Sequence, residues 1–596
     1  MQFPWVRTCG RAAWLAGAGV VVLICWLTCF VGLEQSSLWR SQEGRIGVVA
    51  RHMVTSGNWV LPEAEEGKVC TGKPVLYHWL VALLGAGRGF DEVTVRAPAA
   101  AAALLTALLV YGWASGLQSR GGALVSALVL VTGVKFMVMG RMARVDMLLV
   151  LWVTVSYLCF YLGYRRCGQR RRWFLLMYAA MALAMMTKGP IGVALPLVGI
   201  LVFLVVRRDL RLLKQLELFW GAVLFLAIAG PWYIAVSVAT RGQFLVSFFG
   251  YQNLSRFLGT QVGASPARSG EPWWYYGPHL LLALMPWTPM LVCALTYHLW
   301  PRRHARESTD PAEACSSGFV GPARTLACCW FLTGLVFFSI SRGKRSDYLL
   351  PLFPGLALLV GAFWESAYVS KATPSKRLAG VAAVLEASLL VLVAIVALLM
   401  AVVAPLSDWW RGHLQGLFLH RNPAMFAALV EAFQRHMATG ILVFVGAAVT
   451  AWLWWGLRSV ASKKRALAAV ALTVGLVLLG QTLYRHTLAP LLDERYGSRS
   501  VAGKMRPLIP PQQPLTLLGI RPHSLVFYLD RTTTTLRARD VNSLASAAAA
   551  PAPFYCLTSA AGLKRLPGDV RGRLRVLYRS PRRDRSQYVL LTNDAE

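Results

Sequence analysis

The feature that most constrains this chain is a series of apolar blocks about twenty residues long, separated by short basic segments. One α-helix needs roughly twenty apolar residues to cross the hydrocarbon core of a bilayer. Hydrophobic residues make up 56% of the 596 residues and charged residues only 15%, whereas a soluble domain carries about 25% charged residues. The pattern predicts a polytopic α-helical membrane protein.

The length rule predicts about thirteen transmembrane helices. The first block follows Arg7 and Arg11. A cleaved signal peptide is the alternative there, but the long block without a clean cleavage site favours an uncleaved helix. The predicted spans are 12–32, 95–116, 122–139, 146–164, 173–187, 190–206, 216–238, 279–299, 325–340, 348–369, 378–404, 437–457 and 466–484.

Lysines and arginines concentrate in every second predicted loop, for example at 165–172, 207–214 and 458–465. Cytoplasmic loops carry this excess, so we predict a cytoplasmic N-terminus in a bacterial inner membrane. The formal charge of +34 therefore reflects topology and lipid contact rather than nucleic-acid binding. The apolar segment Pro74–Gly87 is too short to span, and we predict an interfacial helix with Tyr77 at the membrane surface.

These assignments divide the chain into a transmembrane domain, 1–484, and a soluble periplasmic domain, 485–596. Large periplasmic loops are predicted at 33–94, 239–278 and 405–436. Short β-prone runs separated by Pro and Gly make the C-terminal part a small α/β or β-rich domain. The predicted strands are Leu515–Ile520, Leu525–Leu529, Phe554–Leu557, Leu574–Tyr578 and Tyr588–Thr592.

Three short outer segments carry cations where the topology predicts few. They contain Arg144, then Lys188, then Lys344 with Arg345, each at a helix end. Snorkelling anchors are one interpretation, because charges beside hydrocarbon are costly unless paired or led out to the interface. The other is a site for a lipid phosphate, which needs several Lys and Arg donors. Arg256, in the second outer loop, is a further candidate substrate-binding residue.

Two acids lie in the same outer segments, Glu43 and Asp146. A carboxylate can act as the base for a hydroxyl acceptor. If the acceptor is itself a phosphate, the carboxylate instead orients it or holds a cation. The alternative is that both acids form ion pairs, with Arg45 and Arg144 respectively. A divalent metal stays an open option, and no other cofactor is predicted.

Several ordered motifs between about residues 30 and 360 resemble a known family. They are Gln42-Glu43-Gly44-Arg45, Ala50-Arg51-His52-Met53, Gly57-Asn58-Trp59, Gly72-Lys73-Pro74, Thr187-Lys188-Gly189-Pro190, Asn253 to Phe257 and Lys344 to Pro351. The chain resembles the bacterial aminoarabinose–lipid A transferases and the wider protein O-mannosyltransferase-like group of GT-C glycosyltransferases.

The resemblance implies about thirteen helices, an outer active site and an outer C-terminal domain. It also implies an inverting transfer in which Arg45, Lys73 and Tyr348 hold the donor lipid phosphate, and we add Lys344 and Arg345 to that set. Gln42 and Gly72 stand where the family carries acids, which weighs against a bound metal.

The sequence therefore predicts a transferase that moves a monosaccharide from undecaprenyl phosphate, with 4-amino-4-deoxy-L-arabinose as one candidate sugar, to lipid A or a related envelope glycolipid. A protein or a cell-wall glycan is the alternative acceptor. A lipid flippase or transporter is a different class, and it would carry charged residues deep within its helices. A non-enzymatic envelope assembly protein is a further alternative.

Overall fold

The computed structural model describes residues 11–38, 41–65, 67–258, 271–299, 321–369, 463–511, 513–536, 541–550, 552–580 and 587–593, with isolated positions between 378 and 446. Helices form most of the described chain up to residue 369, and a mixed β-sheet lies near its C-terminal end. The predicted loop 405–436 and the predicted spans 378–404 and 437–457 lie almost wholly outside the described residues.

Helices follow one another along the described chain. They are α1 Arg11–Cys25, α2 Ser41–Ser56, α3 Leu76–Arg88, α4 Glu92–Ser115, α5 Arg120–Thr132, α6 Val134–Gly140, α7 Val145–Arg165, α8 Arg170–Lys188, α9 Ile191–Val206, α10 Leu218–Ala239, α11 Gln243–Leu245, α12 Ser255–Leu258, α13 Tyr276–Ala283, α14 Thr288–Leu299, α15 Pro322–Ile340, α16 Phe353–Tyr368 and α17 Lys463–Leu483.

Seven helical stretches among the described residues are long and apolar enough to cross a membrane, or eight if the bent pair α5 and α6 forms one span. The predicted span 122–139 is this pair, bent by 63°, and the predicted span 279–299 is divided into α13 and α14. The polytopic helical fold is confirmed, and the total of thirteen spans stays a prediction.

Burial differs sharply between the spanning helices. The most apolar window of α7 is 89% buried, whereas that of α10 is 17% buried. Helix α7 packs along α8, and α8 packs against α10 on its other side. Lipid tails are as apolar as leucine side chains, so the exposed apolar surface of a spanning helix can contact lipid without cost. Helix α7 therefore lies at the centre of the bundle and α10 at its edge.

The segment after α1, predicted as an outer loop, contains α2, a small hairpin of β1 Glu63–Glu65 and β2 Lys68–Val69, and α3. Helix α3 confirms that the segment Pro74–Gly87 is helical. The ring of Tyr77 is fully buried within the protein and its hydroxyl donates to the carbonyl of Val95, 3.1 Å away, and its level in the membrane stays a prediction. Its role is to fasten α3 to α4.

The C-terminal part is an α/β unit around a five-stranded sheet in the order β4-β3-β5-β7-β6. Strand β3 is parallel to β4 and β5, and β7 is antiparallel to β5 and β6. The elements are α18 Ala489–Tyr496, α19 Ser498–Met505, β3 Leu515–Leu518, α20 His523–Leu529, β4 Thr533–Leu536, α21 Val541–Ala549, β5 Tyr555–Ser559, α22 Ala560–Lys564, α23 Gly568–Gly572, β6 Arg575–Arg579 and β7 Tyr588–Thr592.

Alternate residues of the sheet are buried on opposite faces. Leu517 and Leu590 pack with α19 and α20, while Leu518 and Leu591 pack with α21 to α23. The strand predicted at Leu525–Leu529 is wrong, because this run forms α20. When a short apolar run is buried on several sides, its sequence does not distinguish a strand from a helix. Strand β4 was not predicted, although its three threonines favour a strand.

Candidate functional site

The start of α7 and the end of α8 bring an acid and a base together. The Asp146 Oδ1 atom lies 2.6 Å from Lys188 Nζ, and both side chains are more than 90% buried. The acid is in the first turn of α7 and the lysine in the last turn of α8, which are the ends that the helix dipole favours for each charge. Gly189, with a φ of +97° that favours glycine, ends α8 directly after this contact.

Arg144 extends this pair into a network. Its Nε atom lies 3.1 Å from Asp146 Oδ2, and its Nη1 atom lies 2.7 Å from Oδ2 of Asp347. Asp347 also contacts Lys135 Nζ at 2.5 Å and Arg345 Nη2 at 3.0 Å. The alternative prediction of an ion pair between Asp146 and Arg144 is therefore confirmed. Lys135 and Asp347 were not predicted as site residues.

The network has an excess of positive charge. It contains the four cations Lys135, Arg144, Lys188 and Arg345, and two acids, Asp146 and Asp347, which leaves a net charge of +2. Buried charges need partners, and each acid here has at least two cationic partners. The Arg345 side chain is 40% exposed. The cluster can therefore neutralise an anion that approaches from the side on which Arg345 is exposed.

Lys344 and Tyr348 border the same network. The Lys344 ammonium is buried and donates to the carbonyl of Ser341 at 2.9 Å. The Lys188 ammonium lies 4.9 Å from the centre of the Tyr348 ring, which is within cation–π distance. The backbone N–H of Arg345 donates to the Tyr276 hydroxyl at 3.3 Å. The predicted segment Ser341–Tyr348 thus closes one side of the site.

Glu43 is held by a partner that was not predicted. Its Oε1 atom accepts from Arg96 Nε at 3.1 Å and from the backbone N–H of Ala143 at 3.0 Å, and its side chain is 1% exposed. Arg96 also donates to three carbonyls, those of Leu33, Ser36 and Ser37. The predicted pairing of Glu43 with Arg45 is wrong. An arginine in the first turns of an otherwise apolar span is the signal that identifies Arg96.

The segments that carry Arg45 and Lys73 lie close together. A Cβ atom on Gly72 would be 4.0 Å from both terminal nitrogens of Arg45, so the two segments approach each other. Lys73 acts electrostatically on the Asp146 carboxylate. Burial, together with the nearby Arg45 guanidinium, lowers the pKa of His78 to about 4. Both cations are half-buried, which leaves them accessible to a ligand.

The C-terminal unit packs directly on the helix that carries Glu43 and Arg45. A Cβ atom on Gly44 would lie 2.3 Å from the backbone of Ser524, and one on Gly47 would lie 2.5 Å from the Phe527 ring. Such distances are possible only because both α2 residues are glycines.

Polar contacts lie beside the close approach of α2 and α20. Arg51 Nη1 donates to the Phe527 carbonyl at 3.2 Å and lies 2.5 Å from Asp530. Burial and Arg45 also lower the pKa of His523, in α20, to about 4.

The structure therefore brings most of the predicted site residues to one region. Asp146 contacts both Arg144 and Lys188, Arg345 joins them through Asp347, and Tyr348 contacts Lys188. Lys344 donates to Ser341 in the adjoining segment. The Arg256 side chain lies outside the described residues.

The arrangement does not fit a metal well, because Glu43, Asp146 and Asp347 are already paired with arginines or lysines. Within the described ranges, no group of three or more His, Cys, Asp or Glu residues is placed to hold a metal ion.

Comparisons with known proteins agree with this architecture. A family model described as dolichyl-phosphate-mannose-protein mannosyltransferase matches residues 72–234. A relative from Proteus mirabilis, an undecaprenyl phosphate-alpha-4-amino-4-deoxy-L-arabinose arabinosyl transferase, is 30% identical over 353 residues, which are 58% of this chain and 59% of the relative. A protein of the same name from Erwinia tasmaniensis is 32% identical over 55% of this chain and 56% of its own length. The chain thus matches less than two thirds of either relative.

The solved structures extend the likeness to the whole fold. The crystal structure of ArnT from Cupriavidus metallidurans bound to undecaprenyl phosphate matches with a TM-score of 0.75 over 98% of both chains, at 23% identity. The apo structure of the same protein matches with a TM-score of 0.74 at 22% identity, again over 98% of both. The predicted resemblance is confirmed, and the chain has the fold of the GT-C aminoarabinose transferase family.

Proposed function

We propose that this protein is an inverting glycosyltransferase that moves a monosaccharide from undecaprenyl phosphate to lipid A or a related envelope glycolipid. The reaction takes place at the periplasmic face of the bacterial inner membrane, and 4-amino-4-deoxy-L-arabinose is the first candidate sugar. The observation that carries the proposal is the net-positive network around Asp146 and Asp347 at the outer end of α7 and α8. The names of the relatives and the ligand of the solved neighbour support the same donor.

The cations explain how the bond to the lipid phosphate is broken. In an inverting transfer, an acceptor oxygen attacks the anomeric carbon while the bond to the undecaprenyl phosphate oxygen breaks. The leaving phosphate takes the electron pair and gains negative charge. Preorganised cations stabilise that charge most in the transition state. Arg45, Lys73 and Arg345 are exposed enough to reach the phosphate.

The buried acids then act as positioning residues. Asp146 holds Lys188 and Arg144, and Glu43 holds Arg96 beside the turn at Ala143. If the acceptor oxygen belongs to an ionised phosphate, no base has to remove a proton from it. Asp146 and Glu43 are buried and already paired, so neither is placed to remove a proton. Their role as positioning residues therefore suits a phosphate acceptor better than a hydroxyl acceptor.

The distribution of charge in the described helices does not favour a flippase. In α7 the Asp, Glu, Lys and Arg residues are Asp146 and Arg165, and in α8 they are Arg170 to Arg172 and Lys188, all in a first or last turn. Helix α10 carries none. A transport path would place such residues near the middle of the membrane.

The experiment that tests the proposal is transfer by the purified full-length protein in liposomes. The protein is supplied with undecaprenyl phosphate-linked sugar and lipid A, and the products are analysed by mass spectrometry. We expect lipid A to gain one sugar with the wild type, and Lys73→Met to reduce the rate by at least tenfold. Arg88→Met is the control, because Arg88 lies in the same predicted outer segment and pairs with Asp91, with both side chains more than 40% exposed. Lipid A that stays unmodified with every tested sugar would contradict the proposal.

A protein acceptor is the second candidate, because the matching family model describes protein mannosyltransferases. The same liposomes, supplied with envelope proteins in place of lipid A, distinguish the two. Sugar on protein peptides with none on lipid A would favour this second function.

A further inference from the structure

A cavity of 930 Å³ opens at the N-terminal end of α8, opposite the start of α10. Helix α8 has 19 residues, which corresponds to about 28 Å at 1.5 Å per residue. That length matches the hydrocarbon core of a bilayer, roughly 30 Å. Lys188, at the other end of α8, belongs to the candidate active site. The cavity therefore lies at the opposite face of the membrane, which the basic loops predict to be cytoplasmic.

The cavity has a strongly positive lining. Four cations, Arg170, Arg171, Arg172 and Lys214, line it together with one acid, Glu217, so the lining carries a net charge of +3. Two of the arginines have partners in the structure. Arg170 Nε donates to the carbonyl of Gly163 at 3.3 Å and its Nη1 donates to Gln215, while Arg171 lies 3.7 Å from Glu217.

Beside the cations, the lining is apolar. Leu175, Leu176 and Leu224 complete the wall. The adjoining surface of α10 is lipid-facing, and Phe219 and Trp220 at its start are 71% and 51% exposed. Aromatic residues at the end of a spanning helix lie at the level of the lipid headgroups. The cavity is therefore positive where a headgroup would lie, and it continues into apolar surface where acyl chains would lie.

Basic residues near cytoplasmic helix ends are common topology signals and by themselves bind nothing specific. Here they line a concave space that is large enough for a glycerophosphate headgroup, and Arg170 is held there by hydrogen bonds to Gly163 and Gln215. We propose that this cavity is a binding site for an anionic glycerophospholipid of the cytoplasmic leaflet. Basic pockets between transmembrane helices on that side of a membrane recognise such headgroups. The site is separate from the proposed transfer reaction and does not depend on it.

The test uses the purified full-length protein in mixed micelles that contain phosphatidylglycerol and phosphatidylcholine with the same acyl chains. Native mass spectrometry counts the lipids that stay bound. We expect the wild type to retain phosphatidylglycerol at least fivefold over phosphatidylcholine. The combined change Arg171→Gln and Lys214→Gln should abolish that preference, and Glu217→Gln should increase it because it removes the acid from the lining.

Arg211→Gln is the matched control. Arg211 is exposed and lies one turn before Lys214 outside the cavity lining, so the preference should persist. If the double variant does not fold, Leu224→Trp, which fills the apolar wall, replaces it and should lower retention of phosphatidylglycerol. Equal retention of the two lipids by the wild type overturns the proposal. So does an equal loss with Arg211→Gln, or full displacement by sn-glycerol 3-phosphate at the concentration of the lipid, which would indicate a soluble anion.

Discussion

Substituting Gly44 with alanine tests whether the C-terminal unit positions the candidate site. Alanine in the interior of a helix ordinarily stabilises it by up to about 1 kcal/mol relative to glycine. Here the added Cβ atom would lie 2.3 Å from the Ser524 backbone. A backbone cannot rotate away as a flexible side chain can, so either α2 or α20 has to move. An ordinary contact needs about 3.4 Å, and the displacement required is therefore about 1 Å.

The magnitude follows from the residues beside Gly44. Glu43 and Arg45 flank it on α2, so a shift of the helix moves the ion pair with Arg96 and the guanidinium next to Gly72. Overpacking costs about 1–3 kcal/mol, which exceeds the gain in helix propensity. A displacement of about 1 Å at an active site lowers the rate by roughly 100-fold. We therefore expect Gly44→Ala to lower the apparent Tm slightly and transfer by 10- to 100-fold.

The assay measures sugar transfer in liposomes together with thermal unfolding of the same preparation. Gly87→Ala, in α3, is the control, because a Cβ atom there meets nothing within 4 Å; we expect normal activity and unchanged or slightly higher stability. Gly47→Ala should be partly rescued by Phe527→Leu, since the obstacle there is a ring. Wild-type activity and stability of Gly44→Ala would refute the idea that this helix crossing positions the site.

Three further changes test the charge network and its surroundings. Arg96→Met leaves Glu43 buried without its cation and should destabilise the protein by about 3–5 kcal/mol, measured by thermal unfolding; adding Glu43→Gln should restore part of the loss, and no loss in the single variant would contradict the pairing. A double-mutant cycle of Asp146→Asn and Lys188→Met should give a coupling energy of about 0.5–3 kcal/mol, and strict additivity would show that the two residues act independently. Because the pKa of His78 is lowered to about 4 in the folded protein, its contribution to stability is present above pH 6.5 and is lost as the pH falls toward 4. Acidification from pH 7 to 5 should therefore cost roughly 2 kcal/mol, His78→Gln should flatten that part of the pH profile, and an unchanged profile would contradict the burial of this ring.

Charge and length patterns predicted the helical part of the fold because both act locally. The apolar blocks correspond to helices such as α4, α7 and α10, and the length of each follows from the bilayer. Charged outer ends predicted Arg144, Lys188 and Arg345, since cations at such positions are costly without a function or a partner.

Partners were harder to predict than positions, because they depend on how distant segments pack. Glu43 pairs with Arg96, which is 53 residues away in the chain, and not with its neighbour Arg45. Asp347 joins Arg144 to Lys135 across more than 200 residues. The distance between two residues along the chain does not indicate whether they meet in the fold. For the same reason α20 was predicted as a strand: its apolar residues face α2 on one side and the sheet on the other.

Binding of undecaprenyl phosphate is the measurement that tests the central claim most directly, which is that Arg45 and Lys73 hold a lipid phosphate beside the buried network. A charge-assisted hydrogen bond is worth about 1.5–3 kcal/mol, so Arg45→Met and Lys73→Met should each raise the Kd by roughly 10- to 150-fold. Arg88→Met, with its exposed pairing to Asp91, should leave the Kd unchanged. Wild-type affinity in both the Arg45 and Lys73 variants would contradict the account.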